Sequence, residues 1–98
     1  MTQEVRIVAI VDARPGQATA VADAIAAVVV PTLKEAGCRE YVPHRDTADS
    51  NRFVFVEQWE SRAALEAHNR SPHLQAFAAA LEPLLASPLR VLVLEPLG

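Results

Sequence analysis

The stretch Arg52–Leu74, RFVFVEQWESRAALEAHNRSPHL, constrains the fold more than any other part of the chain. Its first eight residues alternate. Phe53, Phe55, Glu57 and Trp59 share one face and Val54, Val56 and Gln58 the other, which is the period of a strand. Ser61 is placed to cap a short helix over Arg62–Asn69. Ser71-Pro72 then supplies a second N-cap with proline at the first helical position. A strand therefore runs into one helix and directly into another. The valine face is the natural one to receive helices, and the aromatic face is then left needing other cover.

The rest of the chain falls into place around this unit. Glu4–Asp12, EVRIVAIVD, is strand-like and largely apolar on both faces, so it is expected to be covered on two sides. Asp12–Gly16 is a turn, with Pro15 suited to the start of a helix. Ala18, Val21, Ala22, Ile25, Val28, Val29 and Leu33 then follow helical spacing as far as Ala36. Pro31 should kink or loosen the last turn of that helix, and Gly37 can end it by taking a positive φ. Cys38–Asp46 is a second, more polar strand, which Pro43 places at an edge or a bulge. Thr47–Asn51 is a turn short enough to join antiparallel neighbours. Leu74, Phe77, Ala78, Leu81, Leu84 and Leu85 repeat helically, Pro83 and Ser87-Pro88 end that helix, and Leu89–Glu95 is a final strand.

Strand, helix, strand, strand, helix pair, strand is the order of the α+β, ferredoxin-like split βαβ arrangement. Right-handed crossovers put the helices on one face of a four-stranded antiparallel sheet. A bare sheet face carrying Phe53, Phe55 and Trp59 calls for a partner, and the expected partner is a second copy of the chain, packed sheet to sheet.

Composition narrows the function classes. The 98 residues make a single domain, residues 1–98, and carry a net charge of −3 with 9 Lys and Arg that form no run or stripe. That pattern speaks against a nucleic-acid surface and an anionic-membrane patch. No basic N-terminal region precedes an apolar core, and no apolar run is long enough to span a bilayer, so neither a signal peptide nor a membrane segment is expected. The lone Cys38 cannot form an internal disulfide and is more economically a small buried side chain than a nucleophile; it fits a cytoplasmic protein.

GCREYVPHRD followed by NRFVFVEQWESRAALEAHNRSPHLQAF resembles the antibiotic biosynthesis monooxygenase family of dimeric α+β barrels. The resembling features are Gly37-Cys38, Tyr41, Asp46, Phe53, Glu57-x-Trp59, Ala64-Leu65, His68 and Ser71-Pro72-His73, in order over nearly the whole chain. The resemblance implies a ferredoxin-like protomer, a homodimer closing a barrel and a pocket in each protomer. It also implies chemistry that in some members oxidises quinols and polyphenols without metal, flavin or haem. Haem-degrading members use an Asn on the first strand and a His on the last helix; here EVRIVAIVD has no Asn and Phe77-Ala78-Ala79-Ala80 has no His. Some polyketide oxygenases carry an Asn four residues before the strand Trp, where this chain has Phe55, so their detailed mechanism does not carry over.

Each candidate residue has two readings. His68 is a base or orienting donor facing a pocket, or a structural imidazole bonded to Glu57 or a backbone carbonyl. Tyr41 donates to a substrate oxygen or is a tethered core tyrosine. Trp59, Phe55 and Phe53 wall an aromatic pocket or serve packing and assembly. Glu57, costly to bury alone, partners His68 or an arginine, or contacts substrate. His44 is a weaker substrate contact that strand alternation turns away from Tyr41, and His73 is expected to be exposed. The three histidines make no HExxH pattern and no cysteine pair accompanies them, so no metal is expected. No phosphate-binding glycine loop or GxSxG elbow is present.

The resulting expectation is a cofactor-independent monooxygenase acting with O2 on an electron-rich aromatic such as a quinol or polyphenol. His68 and Tyr41 are its catalytic pair, and Trp59, Phe55, Phe53, Glu57 and His44 surround the substrate. Two alternatives use the same pocket: isomerisation of a small carbonyl compound, and non-catalytic small-molecule binding by a dimeric barrel.

Overall fold

The computed structural model describes residues 3–98. Met1 and Thr2, where the stretch expected to carry no signal peptide begins, lie outside them. The elements run β1 (Val5–Asp12), α1 (Ala18–Leu33), β2 (Cys38–Arg45), β3 (Arg52–Trp59), α2 (Arg62–Asn69), α3 (Pro72–Leu81) with a following 3₁₀ turn, and β4 (Arg90–Leu94). The strands form one antiparallel sheet in the order β2-β3-β1-β4, the ferredoxin-like order, with the helices against one face.

Local chemistry explains most boundaries. Arg14-Pro15-Gly16-Gln17 closes a turn in which Gln17 N–H donates to the Arg14 carbonyl at 3.0 Å, and Gly16 takes φ 84°. Proline at the second position and a positive-φ glycine at the third are what a type II turn demands. Pro15 is thus a turn residue rather than the start of α1. Ser61 Oγ accepts from Ala64 N–H and Ser71 Oγ from Leu74 N–H, the two expected caps. Pro31 does loosen the end of α1: Lys34 and Glu35 donate back to Pro31 and Thr32 with three-residue spacing. Pro43 sits on the edge strand, and the irregularity of β2 lies at Cys38–Glu40 instead.

Gly37 has a different purpose from the one expected. Its φ is not positive; a Cβ there would stand 2.2 Å from the Ala64 Cβ. The absence of a side chain lets the β2 entry lie against α2, and Glu60 N–H donates to the Gly37 carbonyl at 2.8 Å.

The helices cover the aromatic face of the sheet and not the valine face, the reverse of the expectation. Phe53, Phe55, Glu57 and Trp59 form the face beneath the helices, buried with Ile7, Ala9, Val11, Val21, Ile25, Val28, Phe77 and Leu81. The open face carries Val8, Ile10, Val42, Val54, Val56 and Leu92, whose side chains are half-buried or exposed. Aromatic rings bury roughly 150–250 Å² each, so the helices gain most by covering the aromatic face and leaving the smaller valines outside.

Candidate active site

β1, β3 and β2 supply the floor of a cavity, and α2 and α3 its wall. Ile7, Ala9, Tyr41, Phe55 and Glu57 rise from the sheet; Leu65, His68, Leu74 and Phe77 descend from the helices. Val91 and Val93 of β4, with Leu89 just before it, form its margin, and Arg62 and Asn69 add polar groups from α2. The cavity volume is about 170 Å³. An apolar cavity of roughly 150 Å³ accepts benzene, so one aromatic ring fits. Val91 and Val93, the helix-side residues of β4, remain 53% and 50% exposed, which makes this margin the way in.

His68 occupies the last turn of α2, and its position is over-determined. Its ring lies on Trp59 at a centroid distance of 4.4 Å and meets the Tyr41 ring edge-on at 5.4 Å. Nδ1–H donates to Glu35 Oε2 at 2.7 Å. Glu57 is not its partner: that carboxylate accepts from Trp59 Nε1 at 2.9 Å. Burial pushes the His68 pKa below the ordinary value, while the Glu35 carboxylate pulls upward and His73 pushes down again. The ring is therefore neutral at neutral pH, with its proton held on Nδ1. Among the described residues nothing bonds Nε2, so its lone pair is left for a molecule in the cavity.

The other polar groups are tuned the same way. Burial raises the Tyr41 pKa strongly, Glu57 adds to this, and Thr32 works in the opposite direction, so the phenol stays a neutral donor. Burial also raises Glu57, with the Trp59 hydrogen bond opposing it. A cavity with mostly apolar walls and one oriented basic nitrogen suits taking a proton from a weakly acidic hydroxyl.

The structure brings His68, Tyr41, Phe55 and Glu57 together at the cavity. Trp59 is fully buried behind His68 and does not line it. Phe53 sits further along β3, under the Arg45 guanidinium at 4.8 Å. His44 pairs with Val54 on the open face, so the sheet separates it from the cavity. His73 is not simply exposed: its Nε2–H donates to the same Glu35 oxygen at 2.7 Å. Glu35, Arg62 and Asn69 escaped the sequence reading. The last two were within reach of it, since Arg62, Leu65 and Asn69 recur at helical spacing on one side of α2 with His68.

Residues 4–80 match the family model described as antibiotic biosynthesis monooxygenase. The chain belongs to that family. It is similar to the Rv0793 protein of Mycobacterium tuberculosis, with 37% identity over 97 residues covering 99% of this chain and 95% of that one. The solved structure of Rv0793 superimposes with a TM-score of 0.92 over 98% of this chain and 97% of the other, at 33% identity. A protein of Escherichia coli K12 named "Probable quinol monooxygenase YgiN" is 41% identical over 86 residues, covering 78% of this chain and 83% of that one. The crystal structure of PA3566 from Pseudomonas aeruginosa gives a TM-score of 0.92 at 36% identity, over 100% of this chain and 98% of that chain. Family membership accounts for the shared frame; the cavity residues must account for any reaction.

Proposed function

We propose that the protein is a cofactor-independent monooxygenase that oxidises a quinol or polyphenol with O2. One observation carries this reading. A neutral imidazole, its Nδ1–H tied to Glu35, presents Nε2 to an apolar cavity the size of one aromatic ring. Kinship with a protein named "Probable quinol monooxygenase YgiN" supports the same substrate class.

Nε2 of His68 takes a phenolic proton, and the apolar walls make the resulting phenolate a strong electron donor because little water is there to solvate it. The phenolate transfers an electron to O2, the two radicals combine at a ring carbon, and loss of water leaves the oxidised ring. The balance is one quinol and one O2 giving one hydroxyquinone and one water, so the substrate supplies every electron. Tyr41 is the hydroxyl donor that holds the anionic oxygen, with the Phe55 ring below it at 5.1 Å between centroids. Rings beyond the first extend past Val91 and Val93.

The working unit in this reading is a homodimer. Among the described residues nothing covers the apolar sheet face of Val8, Ile10, Val42, Val54, Val56 and Leu92, and a second copy offers the same face in return. Among the described residues no helix is long and apolar enough to cross a membrane.

Oxygen uptake with a panel of quinols and polyphenols tests the reaction. Uptake in proportion to quinol consumed, falling in His68→Gln, is expected; equal quinol loss in air and under nitrogen overturns it.

A further inference from the structure

We propose that Glu35, His68 and His73 form a binding site for one divalent transition-metal ion of the zinc class, on the side of the His68 ring away from the cavity. Three separate pieces of chain converge there. Glu35 lies just beyond α1, His68 in the last turn of α2 and His73 in the first turn of α3. A single carboxylate oxygen, Glu35 Oε2, stands 2.7 Å from both His68 Nδ1 and His73 Nε2. The three potential ligand atoms all lie within 4.8 Å of one another.

The donor set decides which ions fit. Two imidazoles and a carboxylate, with a fourth position for water, make a common zinc ligand set. Calcium and magnesium call for more oxygen donors than this site offers, whereas zinc, cobalt, nickel and copper accept imidazole readily. Tetrahedral ligands at about 2.0–2.1 Å from zinc stand about 3.3 Å apart, so each oxygen–nitrogen pair must open by about half an ångström while the two ring nitrogens, within 4.8 Å of each other, adjust to the same spacing. The ion then replaces the two N–H protons now directed at Oε2.

The surroundings suit such an exchange. The side chains of His68, Glu35 and His73 are 4%, 17% and 21% exposed, so His68 is sealed in while the other two leave an approach from solvent. Among the described residues the hydrogen-bond partners of the Glu35 side chain are these two imidazoles, with no lysine or arginine paired to the carboxylate. Sequence spacing conceals the site, because Ser71-Pro72 ends one helix and starts another between the two histidines.

Occupation has a consequence that rests on the reading of His68 as a base. A metal on Nδ1 leaves the ring proton on Nε2, and the nitrogen facing the cavity changes from acceptor to donor. It can then no longer take the substrate proton. The ion acts as a brake on turnover and takes no part in the reaction.

Titration of chelator-stripped protein with Co²⁺, followed by visible ligand-field absorption, tests the site without reference to activity. One equivalent should develop a four-coordinate spectrum that Zn²⁺ displaces. His73→Ala and Glu35→Gln, each shown folded by circular dichroism, should bind at least about tenfold more weakly, since loss even of an outer-shell partner costs about 10–100-fold. His44→Ala, on the other face of the sheet, should bind as the wild type does. No spectrum at one equivalent, or a spectrum unchanged in both site variants, overturns the site. Quinol turnover with and without Zn²⁺ is read separately: inhibition that His73→Ala relieves supports the brake, and metal binding without inhibition overturns it. Failure of all turnover in stripped protein would count against the monooxygenase reading and leave the spectroscopic result standing.

Discussion

Glu35 Oε2 accepts a 2.7 Å hydrogen bond from His68 Nδ1, joining a loop after the first helix to a buried imidazole 33 residues later. This contact fixes which nitrogen carries the proton and therefore which one meets a substrate. Glu35→Ala should lower kcat by about 10–100-fold with little change in KM, the cost typical of removing a group that orients an imidazole. Steady-state kinetics separate the two parameters. A rise in KM alone would place Glu35 in binding.

His68→Gln preserves much of the side-chain volume and removes the base. General-base catalysis contributes about 10²–10⁴-fold, so kcat should fall by that order while an inert aromatic ligand still binds. Titration calorimetry with a quinol diether, which has no phenolic proton to give, checks the second half.

Gly37→Ala tests the close approach of β2 and α2. The added Cβ would stand 2.2 Å from Ala64 Cβ, and overpacking of this kind costs about 1–3 kcal/mol. Denaturant unfolding should show that loss, and Ala64→Gly in the same chain should restore most of it. Additive losses in the double variant would mean the two residues do not meet.

Glu57 predicts a pH dependence of stability. Burial raises its native pKa above the ordinary 4.5, so the native state holds this proton more tightly than the unfolded chain does. Its contribution is fully present below about that value and declines as pH rises through the raised native pKa. Glu57→Gln keeps an acceptor for Trp59 and has no proton to lose. The wild type should therefore lose stability relative to the variant as pH rises above 4.5, measured by thermal unfolding across pH. A constant difference would contradict the raised pKa.

The open sheet face predicts assembly. Val56, 39% exposed at the centre of that face, should tolerate Asp as a lone protomer but not against a second apolar sheet. Light scattering should find a dimer in the wild type and a monomer in Val56→Asp, with the far-ultraviolet dichroism retained. Equal masses would remove the sheet-to-sheet dimer.

Much of the fold was legible because its signals are local. Alternation marked β3, serine caps marked α2 and α3, and Pro43 marked an edge strand. The choice of sheet face was not legible. Phe53 to Trp59 is apolar on both sides, and a period of two says that the faces differ without saying which one the helices cover. His68 and Tyr41 stood out as residue types in a recognisable string and do meet at the cavity. Glu35 could not have been found that way. Its partners lie 33 and 38 residues along the chain, and only the docking of α1 against α3, which also packs on α2, brings them to it. Trp59 misled for the opposite reason: an aromatic next to the site was expected to touch substrate, and it supports His68 from behind.

The most direct measurement of the central claim is turnover of a quinol under isotopically labelled dioxygen, with the label traced in the product and in water. A monooxygenase places one labelled oxygen atom in the hydroxyquinone and the other in water, at a rate that collapses in His68→Gln. Unlabelled product, or dioxygen returned as hydrogen peroxide, would contradict it.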